Sequence, residues 1–585
     1  MNYILNTGEK GREKQEAPVS KILPLLAPEK KSFAFAITMV LITSLLNLLG
    51  PFLLGIAVDT YIQHHEYTGA LVISGILFFI FLGALVSGFL QTRTMGSIGQ
   101  RTLFRLRNEL FMKIQSLPIA FFHQNKAGDL ISRINNDTEK LNQFFSQSLV
   151  QFFGNIFIML GAAGFILVMN WRLGLAALAP AAVVVICTNL VSPLVKKWNG
   201  ASLRATGGLS SEIQESLGNF KAIVMFNRRD YFKKRFAEVN TTTFKTAMVA
   251  GIANQMFTPL YGLSYHIAQM IVLLYGISLI LSGACTVGVV ISFLAFTNRF
   301  YEPMRFLAAI WASFQVALAA WDRISDILRL NTDLILLEKN EATKGESHVL
   351  EFQNVAFAYE DGKDILTDIS LTLDAGKTYA LVGPTGGGKT TTASLMARLY
   401  DPTRGTVYLN GEDIRTYTVE ERTKQIGVIL QDPFLFSGTV FENILYGNEE
   451  LALLTLPELE AYIQKEGLGD LLKKFPEGLS TTVSLTAESV SLGQKQLIAF
   501  MRAVLRKPAL LILDEATANV DTVTEEVLEE ILKKLPKETI KVIIAHRLNT
   551  IENADTIFFV NRQTLTRAGS MQEALDLLLH GERKS

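Results

Sequence analysis

The stretch from Gly383 to Thr391 has the residue types and the spacing of a phosphate-binding loop. It reads GPTGGGKTT and fits the pattern G-x-x-x-x-G-K-[ST]. In that pattern glycines let backbone N–H groups close around phosphate oxygens, a lysine reaches the outer phosphates, and a hydroxyl group binds Mg²⁺. The sequence therefore predicts a binding loop for ATP and Mg²⁺ made of Gly383, Pro384, Thr385, Gly386, Gly387, Gly388, Lys389, Thr390 and Thr391.

Four short apolar runs each lead to residues that such a site could use. In open parallel sheets ligands bind beyond the carboxyl ends of the strands, so polar residues at those ends are expected to converge. Residues 379–382 lead into the loop, 426–430 end at Gln431, 510–513 end at Asp514 and Glu515, and 542–545 end at His546.

The residue types at these ends suggest a role for each. Asp514 is expected to hold Mg²⁺, directly or through water, together with Thr390, and Gln431 to reach the metal or the attacking water. Glu515 is suited to be the general base, or the group that orients the water, for attack on the terminal phosphate. His546 is expected to steady the γ-phosphate. Together these residues predict ATP hydrolysis.

An α/β domain must position these residues, but the chain is too apolar to be soluble throughout. Of its 585 residues 49% are hydrophobic, which indicates that part of it lies in lipid. A bilayer-spanning helix needs ~20 apolar residues. Six runs satisfy this requirement, and they cover residues 33–54, 70–90, 149–169, 173–195, 256–281 and 287–311.

Charge and cysteine content exclude other classes. Positive and negative residues are equal in number, at 55 each, which argues against a nucleic-acid-binding protein. The two cysteines, Cys187 and Cys285, lie in the apolar half without metal-like spacing, so we expect neither a disulfide framework nor a zinc site.

The loops between the apolar runs predict the orientation in the membrane. The long connections 91–148 and 196–255 are rich in lysine and arginine, whereas the connections on the other side have almost none. This bias places the long connections in the cytoplasm. Because six spans put both termini on one side, we expect a multi-pass protein of the cytoplasmic membrane with cytoplasmic N- and C-termini.

The apolar spacing within the long connections is helical. Leu103, Leu106, Leu110 and Ile114 recur at helical intervals, and Ile213 and Leu217 do the same in the second connection. The fold class predicted is a multi-domain membrane protein: a six-helix α transmembrane domain with long cytoplasmic helical extensions, then an α/β P-loop nucleotide-binding domain. The expected boundaries are 1–31 for a tail with an interfacial helix, 32–330 for the transmembrane domain, 331–348 for a linker and 349–585 for the nucleotide-binding domain.

These motifs together resemble the half-transporters of the ATP-binding cassette (ABC) exporter family. Walker A lies at residues 383–391, the Q-loop at Gln431, Walker B at 510–514 followed by the catalytic Glu515, the D-loop at 518–521 with Asp521, and the switch histidine at His546. The resemblance implies that Tyr359 stacks on adenine. It also implies that short coupling helices at the tips of the two long connections, 91–148 and 196–255, rest on the ATPase domains.

One motif departs from the family pattern. The signature L-S-G-G-Q normally pins the phosphate of an ATP held by the opposite subunit, but here Ser491, Leu492, Gly493 and Gln494 follow Val490. Glycine permits a close backbone approach and conformations that a branched side chain resists. Leu492 is therefore expected to weaken the signature that this chain offers its partner.

The departure bears on how two such chains assemble. A heterodimer would pair this chain's Walker motifs, Glu515 and His546 with an intact signature from a different half-transporter, which gives one competent and one degenerate site. A symmetric homodimer that tolerates Leu492 is the alternative. In either assembly ATP closes the two cassettes because it binds the closed state better.

Polar residues at membrane depth predict where a substrate binds. Such groups usually face protein or water, although hydrogen bonding between helices explains many of them equally well. The leading function is ATP-driven export of lipophilic or amphipathic, multidrug-type small molecules across the cytoplasmic membrane by alternating access, with membrane lipids as further partners. Lipid flipping, peptide export and an ATP-sensing regulatory subunit that does not pump are the alternatives. The candidate cavity residues are Tyr261, Tyr265, His266, Gln269, Asn298, Arg299 and Tyr301.

Overall fold

The computed structural model describes residues 3, 5, 23–331, 334–339, 349–359, 363–431, 433–484, 490–514, 522–544, 554–568 and 572–573. The chain forms two compact units. The membrane unit comprises Asn6–Gln115 and Ala127–Arg329, and the cassette unit comprises Met1–Leu5, Ser116–Lys126 and Leu330–Ser585. The tip of the first long connection therefore groups with the cassette.

Long helices make up the membrane unit. Six of them are long and apolar enough to cross a bilayer, at Pro24–Ile62, Tyr67–Gln115, Ala127–Met169, Trp171–Gly218, Arg229–Leu281 and Val287–Leu328, so the prediction of six spans is confirmed. The individual α-helices up to residue 328 are α1 (Lys30–Ile56), α2 (Tyr67–Gln115), α3 (Ile119–Gln124, in the cassette unit), α4 (Ala127–Ser132), α5 (Thr138–Gln143), α6 (Leu149–Met169), α7 (Trp171–Gly218), α8 (Phe220–Met225), α9 (Arg229–Gln255), α10 (Phe257–Leu281) and α11 (Val287–Leu328).

Local sequence explains where these helices begin and which face they bury. Asn170 caps α7, since its side-chain oxygen accepts a hydrogen bond from the Leu173 amide at 3.1 Å. Leu103, Leu106, Leu110 and Ile114 are all buried on α2, so the helical spacing in the first connection marks a packed face. The second connection is helical too, but Leu217 stays 71% exposed.

The segment predicted to be an interfacial helix lies partly outside the described residues. Its described part, Leu23–Glu29, is a 3-10 helix that leads directly into α1.

The cassette unit combines two main sheets with a set of helices. The strands are β1 (Leu350–Phe357), β2 (Leu366–Leu373), β3 (Thr378–Val382), β4 (Arg404–Leu409), β5 (Glu412–Asp413), β6 (Ile426–Ile429), β7 (Gly438–Thr439), β8 (Thr482–Val483), β9 (Leu510–Asp514), β10 (Ile540–Ile544), β11 (Thr556–Asn561) and β12 (Thr564–Ala568). The helices are α12 (Lys389–Met396), α13 (Val419–Gln425), α14 (Val440–Leu445), α15 (Leu456–Lys465), α16 (Gly469–Leu472), α17 (Leu492–Val504) and α18 (Thr522–Lys533).

The larger sheet orders its strands β12-β11-β3-β10-β9-β6, and β11, β3, β10, β9 and β6 run parallel. The four apolar runs identified in the sequence are thus neighbouring strands whose carboxyl ends share one edge. The smaller sheet, β2-β1-β4-β5, is antiparallel. Its buried side chains join those of β3, β9, β10 and α12 in one core, which fixes the sheet that presents the loop.

Candidate functional site

The phosphate-binding loop connects β3 to α12 and depends on glycine at particular positions. Gly383, Gly386 and Gly388 have φ of 150°, 81° and 108°, a region that L side chains rarely adopt. A Cβ at Gly383 would lie 2.1 Å from the carbonyl oxygen of Val560. The loop can therefore hold its N–H groups close to a phosphate only because these residues lack a side chain.

Lys389 lies inside the loop. Its ammonium group donates hydrogen bonds to the carbonyl oxygens of Gly383 at 2.8 Å and Pro384 at 3.1 Å, and the residue is only 6% exposed. A buried ammonium held among backbone groups at the start of α12 adds positive charge where the helix dipole is already positive. This arrangement suits an anion with several negative charges.

The strand register places the other polar ends along the same edge. Asp514, the last residue of β9, pairs with Ile544 of β10, and Ile544 pairs in turn with Leu381 of β3, two residues before Gly383. Gln431 follows β6 and is exposed. Carboxylate, hydroxyl and amide oxygens are the ligands that Mg²⁺ prefers, so Asp514, Gln431 and the exposed Thr390 are chemically suited to hold it.

Tyr359 is held beside the loop by its neighbours. Its hydroxyl group lies 3.0 Å from the Thr391 Oγ1. Its ring makes edge contacts with Phe357 at 4.8 Å and Tyr400 at 5.2 Å, while 41% of the residue remains exposed. A fixed aromatic ring with an exposed part can stack on a purine.

Three of the predicted site groups lie outside the described residues. They are Glu515, the D-loop at 518–521 with Asp521, and His546. Asp514 is described as the residue before Glu515, and Ile544 as the residue two positions before His546.

The signature segment starts α17. Ser491 caps the helix, because its side chain accepts a hydrogen bond from the Gln494 amide while the Gln494 side chain accepts one from the Ser491 amide. Leu492 is the first helical residue, Gly493 the second, and neither has positive φ. Leu492 therefore adopts a conformation open to any residue, and the expectation that this position needs the conformational freedom of glycine is wrong. What remains is bulk, since its side chain stands 39% exposed at the helix start.

The predicted cavity residues fall into two groups. Tyr261 and Tyr301 are buried, at 8% and 2% exposure. The Tyr301 hydroxyl donates to the Ala177 carbonyl oxygen at 2.9 Å, so Tyr301 joins α11 to α7 in this structure. The remaining residues are exposed or half-buried: His266 and Asn298 are exposed, and Tyr265, Gln269 and Arg299 are half-buried.

Sequence reasoning missed two residues beside the site. Tyr400 packs against Tyr359, and burial together with that neighbour raises the pKa of Tyr400 to about 12, so it stays neutral. Val560 places its carbonyl oxygen against Gly383. No spacing in the chain connects either residue with the loop, because both reach it through sheet pairing and packing.

Two sequence profiles match the chain. The profile described as the ABC transporter transmembrane region covers residues 33–304, and the one described as ABC transporter covers residues 366–518.

Relatives match over nearly the whole length. The uncharacterized ABC transporter ATP-binding protein YfiC of Bacillus subtilis is 33% identical over 95% of this chain and 91% of its own. An ATP-dependent lipid A-core flippase of Syntrophus aciditrophicus is 30% identical over 95% and 92%. The putative multidrug export ATP-binding/permease protein YgaD of Bacillus subtilis is 30% identical over 95% and 97%.

Family membership settles the general activity. Proteins of this architecture bind ATP with Mg²⁺ and hydrolyse it to drive transport, and the loop, Lys389 and Asp514 fit those ligands. One membrane region followed by one ATPase domain makes a half-transporter, which must dimerise to work. The chain therefore belongs to the ABC transporter family, as a multi-pass membrane half-transporter of the exporter type.

Proposed function

We propose that this chain is the hydrolytically competent half of an asymmetric exporter of lipophilic or amphipathic compounds. It supplies the phosphate-binding loop, Asp514, Glu515 and His546 to one ATP site, and a weakened signature to the other. The observation that supports this most directly is the contrast between a well-formed loop and an exposed leucine, Leu492, at the start of α17.

Leu492 interferes through its size. The start of a helix is suited to bind a phosphate through backbone N–H groups, which must come within hydrogen-bonding distance of it. A leucine side chain that points into solvent at that point keeps the partner's nucleotide at a distance. A partner with glycine there would close fully on this chain's loop, which makes the heterodimer more favourable than the homodimer.

Exposed apolar surfaces in each unit support dimerisation. At the tip of the second connection Leu217, Phe220, Met225 and Phe226 are between 56% and 75% exposed. On the cassette unit Phe434, Phe436 and Tyr446 form an aromatic group in which Arg502 lies over two rings. Apolar patches of this kind mark interaction sites. We infer that both surfaces are interaction sites in the assembled dimer.

The transported class follows from relatives and from residue type. Among the relatives that carry functional names are a lipid A-core flippase and a putative multidrug exporter, and these names support a lipophilic or amphipathic substrate. Gln269 donates to the Tyr265 hydroxyl at 2.6 Å, and the His266 ring lies 5.1 Å from that of Tyr265, so polar and aromatic groups lie side by side on α10. We place both termini in the cytoplasm, as the loop charges indicate.

Paired substitutions in the full dimer test the asymmetry. Glu515→Gln should lower the ATPase rate by at least ~100-fold, the scale of a general base, whereas Leu492→Gly should not lower it. Glu538→Gln, an exposed carboxylate elsewhere on the cassette, is the matched control and should change nothing. Strong turnover by Glu515→Gln would refute the assignment.

The chain expressed without a partner tests the competing assemblies. Full ATPase activity in a chain purified alone would establish the symmetric homodimer. Absence of turnover with any second half-transporter would instead favour an ATP-sensing subunit that does not pump. Transport itself is tested with fluorescent lipophilic amines and labelled lipids in inverted vesicles, and the two probes separate small-molecule export from lipid flipping.

A further inference from the structure

Two residues far from the cassette in sequence are buried in the cassette unit. Tyr3 is 2% exposed and Leu5 is 5% exposed, and their described hydrogen-bond partners lie more than a hundred positions away. Most of these partners are at the end of α3, the short helix at the tip of the first long connection. We call Tyr3 and Leu5 the strap.

Asn125 binds the strap through main-chain groups. Its side-chain oxygen accepts a hydrogen bond from the Leu5 amide at 3.1 Å, and its side-chain nitrogen donates to the Tyr3 carbonyl oxygen at 2.9 Å. The same nitrogen donates to the Phe121 carbonyl oxygen at 2.8 Å. A carboxamide presents the same donor and acceptor as a peptide group. The Asn125 side chain therefore pairs with the main chain of the strap as a neighbouring β-strand would, and Asn125 is also the residue that ends α3.

Further bonds fix the strap at both sides. The Tyr3 amide donates to the Gln124 Oε1 at 2.6 Å, and the Tyr3 hydroxyl donates to the Asn331 carbonyl oxygen at 3.3 Å. Asn331 begins the linker to the β1 strand. The strap therefore joins the end of α3 to the start of the linker.

Helix α3 needs such support. It has six residues, far fewer than the ~12 that an isolated helix requires in water, so tertiary contacts must hold it. Its own anchor is Phe121, which is fully buried. The strap supplies the contacts at the other end.

His123, two positions before Asn125, connects α3 by ring contacts with the predicted adenine-binding residue. His123 of α3 makes an edge contact with Tyr400 at 6.5 Å between ring centroids, and Tyr400 makes one with Tyr359 at 5.2 Å. The position of α3 is thus linked by packing to the ring we assign to adenine.

We propose that Tyr3 and Leu5 are an intramolecular strap that holds α3 on the cassette, so that closure of the cassette moves the first connection with it. Only the coupling part of this proposal rests on the proposed function. Attachment of the strap can be tested without ATP.

Thiol labelling of the full chain in nanodiscs tests attachment, with Cys187 and Cys285 replaced by alanine. Leu5→Cys should react with a maleimide at least ~10-fold more slowly than Lys126→Cys, an exposed position beside Asn125, because tenfold corresponds to ~1.4 kcal/mol of opening. Adding Asn125→Asp, which cannot donate to the Tyr3 carbonyl, should remove the difference. Equal labelling of Leu5→Cys and Lys126→Cys in the otherwise unchanged chain would overturn the proposal.

Amide exchange of residues 116–126 tests whether the strap supports α3. Tyr3→Ala should speed exchange there by ~10-fold or more, and Tyr3→Phe, which keeps the ring and loses one hydrogen bond, by at most ~5-fold. Unchanged exchange in Tyr3→Ala would overturn the proposal.

Coupling is then measured by spin-label distances across the cytoplasmic helix ends, with ATP and vanadate. Tyr3→Ala should retain ATPase activity and lose most of the ATP-driven distance change, whereas an unchanged distance response would overturn the coupling role. If neither the unchanged protein nor Tyr3→Ala hydrolyses ATP, the proposed function fails. The labelling and exchange experiments still decide whether the strap is attached to α3.

Discussion

Alanine at Gly383 is expected to disable the nucleotide site for a reason that the geometry defines. The new Cβ would lie 2.1 Å from the carbonyl oxygen of Val560, whereas ordinary contacts begin at 3.4 Å. Val560 is fully buried in β11, where it pairs with Leu565, so its carbonyl cannot move aside easily. The loop must move instead, and its N–H groups move with it.

Two costs combine in this variant. An L residue with positive φ costs ~1–2 kcal/mol, and forcing an extra carbon into packed surroundings costs a further ~1–3 kcal/mol. Their sum, ~2–5 kcal/mol, predicts ATP binding weaker by roughly 30-fold to several thousand-fold, at ~1.4 kcal/mol for each factor of ten. ATPase activity falls with it.

Gly386→Ala is the matched control. Gly386 also has positive φ, at 81°, but a Cβ there meets nothing within 4 Å, so only the conformational cost applies and binding should weaken by ~5- to 30-fold. Binding is measured by titrating a fluorescent ATP analogue without Mg²⁺, and thermal unfolding shows that each variant is folded. Equal affinities for the two variants would refute the argument from Val560.

Two further predictions concern stability. Arg133→Met should destabilise the membrane unit by ~1–3 kcal/mol, because the fully buried Arg133 loses its hydrogen bond to Asp129 at 2.8 Å while Asp129 keeps its pair with Arg323. Lys233→Met, in an exposed pair, should leave the melting temperature in detergent unchanged, and an equal effect of both would contradict this. Burial raises the pKa of Tyr400 to about 12 from its ordinary 10, so the folded chain holds this proton more tightly than the unfolded chain. The stability that this pKa difference gives the folded chain is complete below pH 10 and is lost as the pH rises to 12. Tyr400→Phe should therefore show a shallower fall in melting temperature from about pH 9 to 11. A slope equal to that of the unchanged chain would contradict this prediction.

The parts of the fold that follow from local pattern could be predicted from the sequence. Apolar runs of bilayer length located the six spans, and the spacing of Leu103 and Leu106 located a packed helix face. The order of strand, loop and helix around residues 383–391 identified the phosphate loop, because its glycines and Lys389 act through local backbone geometry. The polar residues at strand ends follow the same logic, since parallel strands end at one edge.

The parts that depend on packing between distant residues could not be predicted. Tyr301 is polar at membrane depth, which suggested a cavity, but its hydroxyl bonds to the Ala177 carbonyl 124 positions away. Leu492 occupies a position where the motif has glycine, yet its backbone is helical because Ser491 caps α17 there. The motif indicates which residue is usual at a position. The local hydrogen bonds determine whether its backbone conformation or its side-chain size matters there.

The grouping of Ser116–Lys126 with the cassette constrains how ATP can act on the membrane unit. These eleven positions lie between α2 and α4, so each of their ends is joined covalently to a helix of the membrane unit. Any movement of the cassette that keeps its own packing intact must pull on both helices at once. A conformational change is driven only by contacts that differ between the two states, and contacts inside the cassette unit, such as Phe121 and the strap, need not differ. The energy of ATP binding is therefore available at the surface between the two cassettes of the dimer.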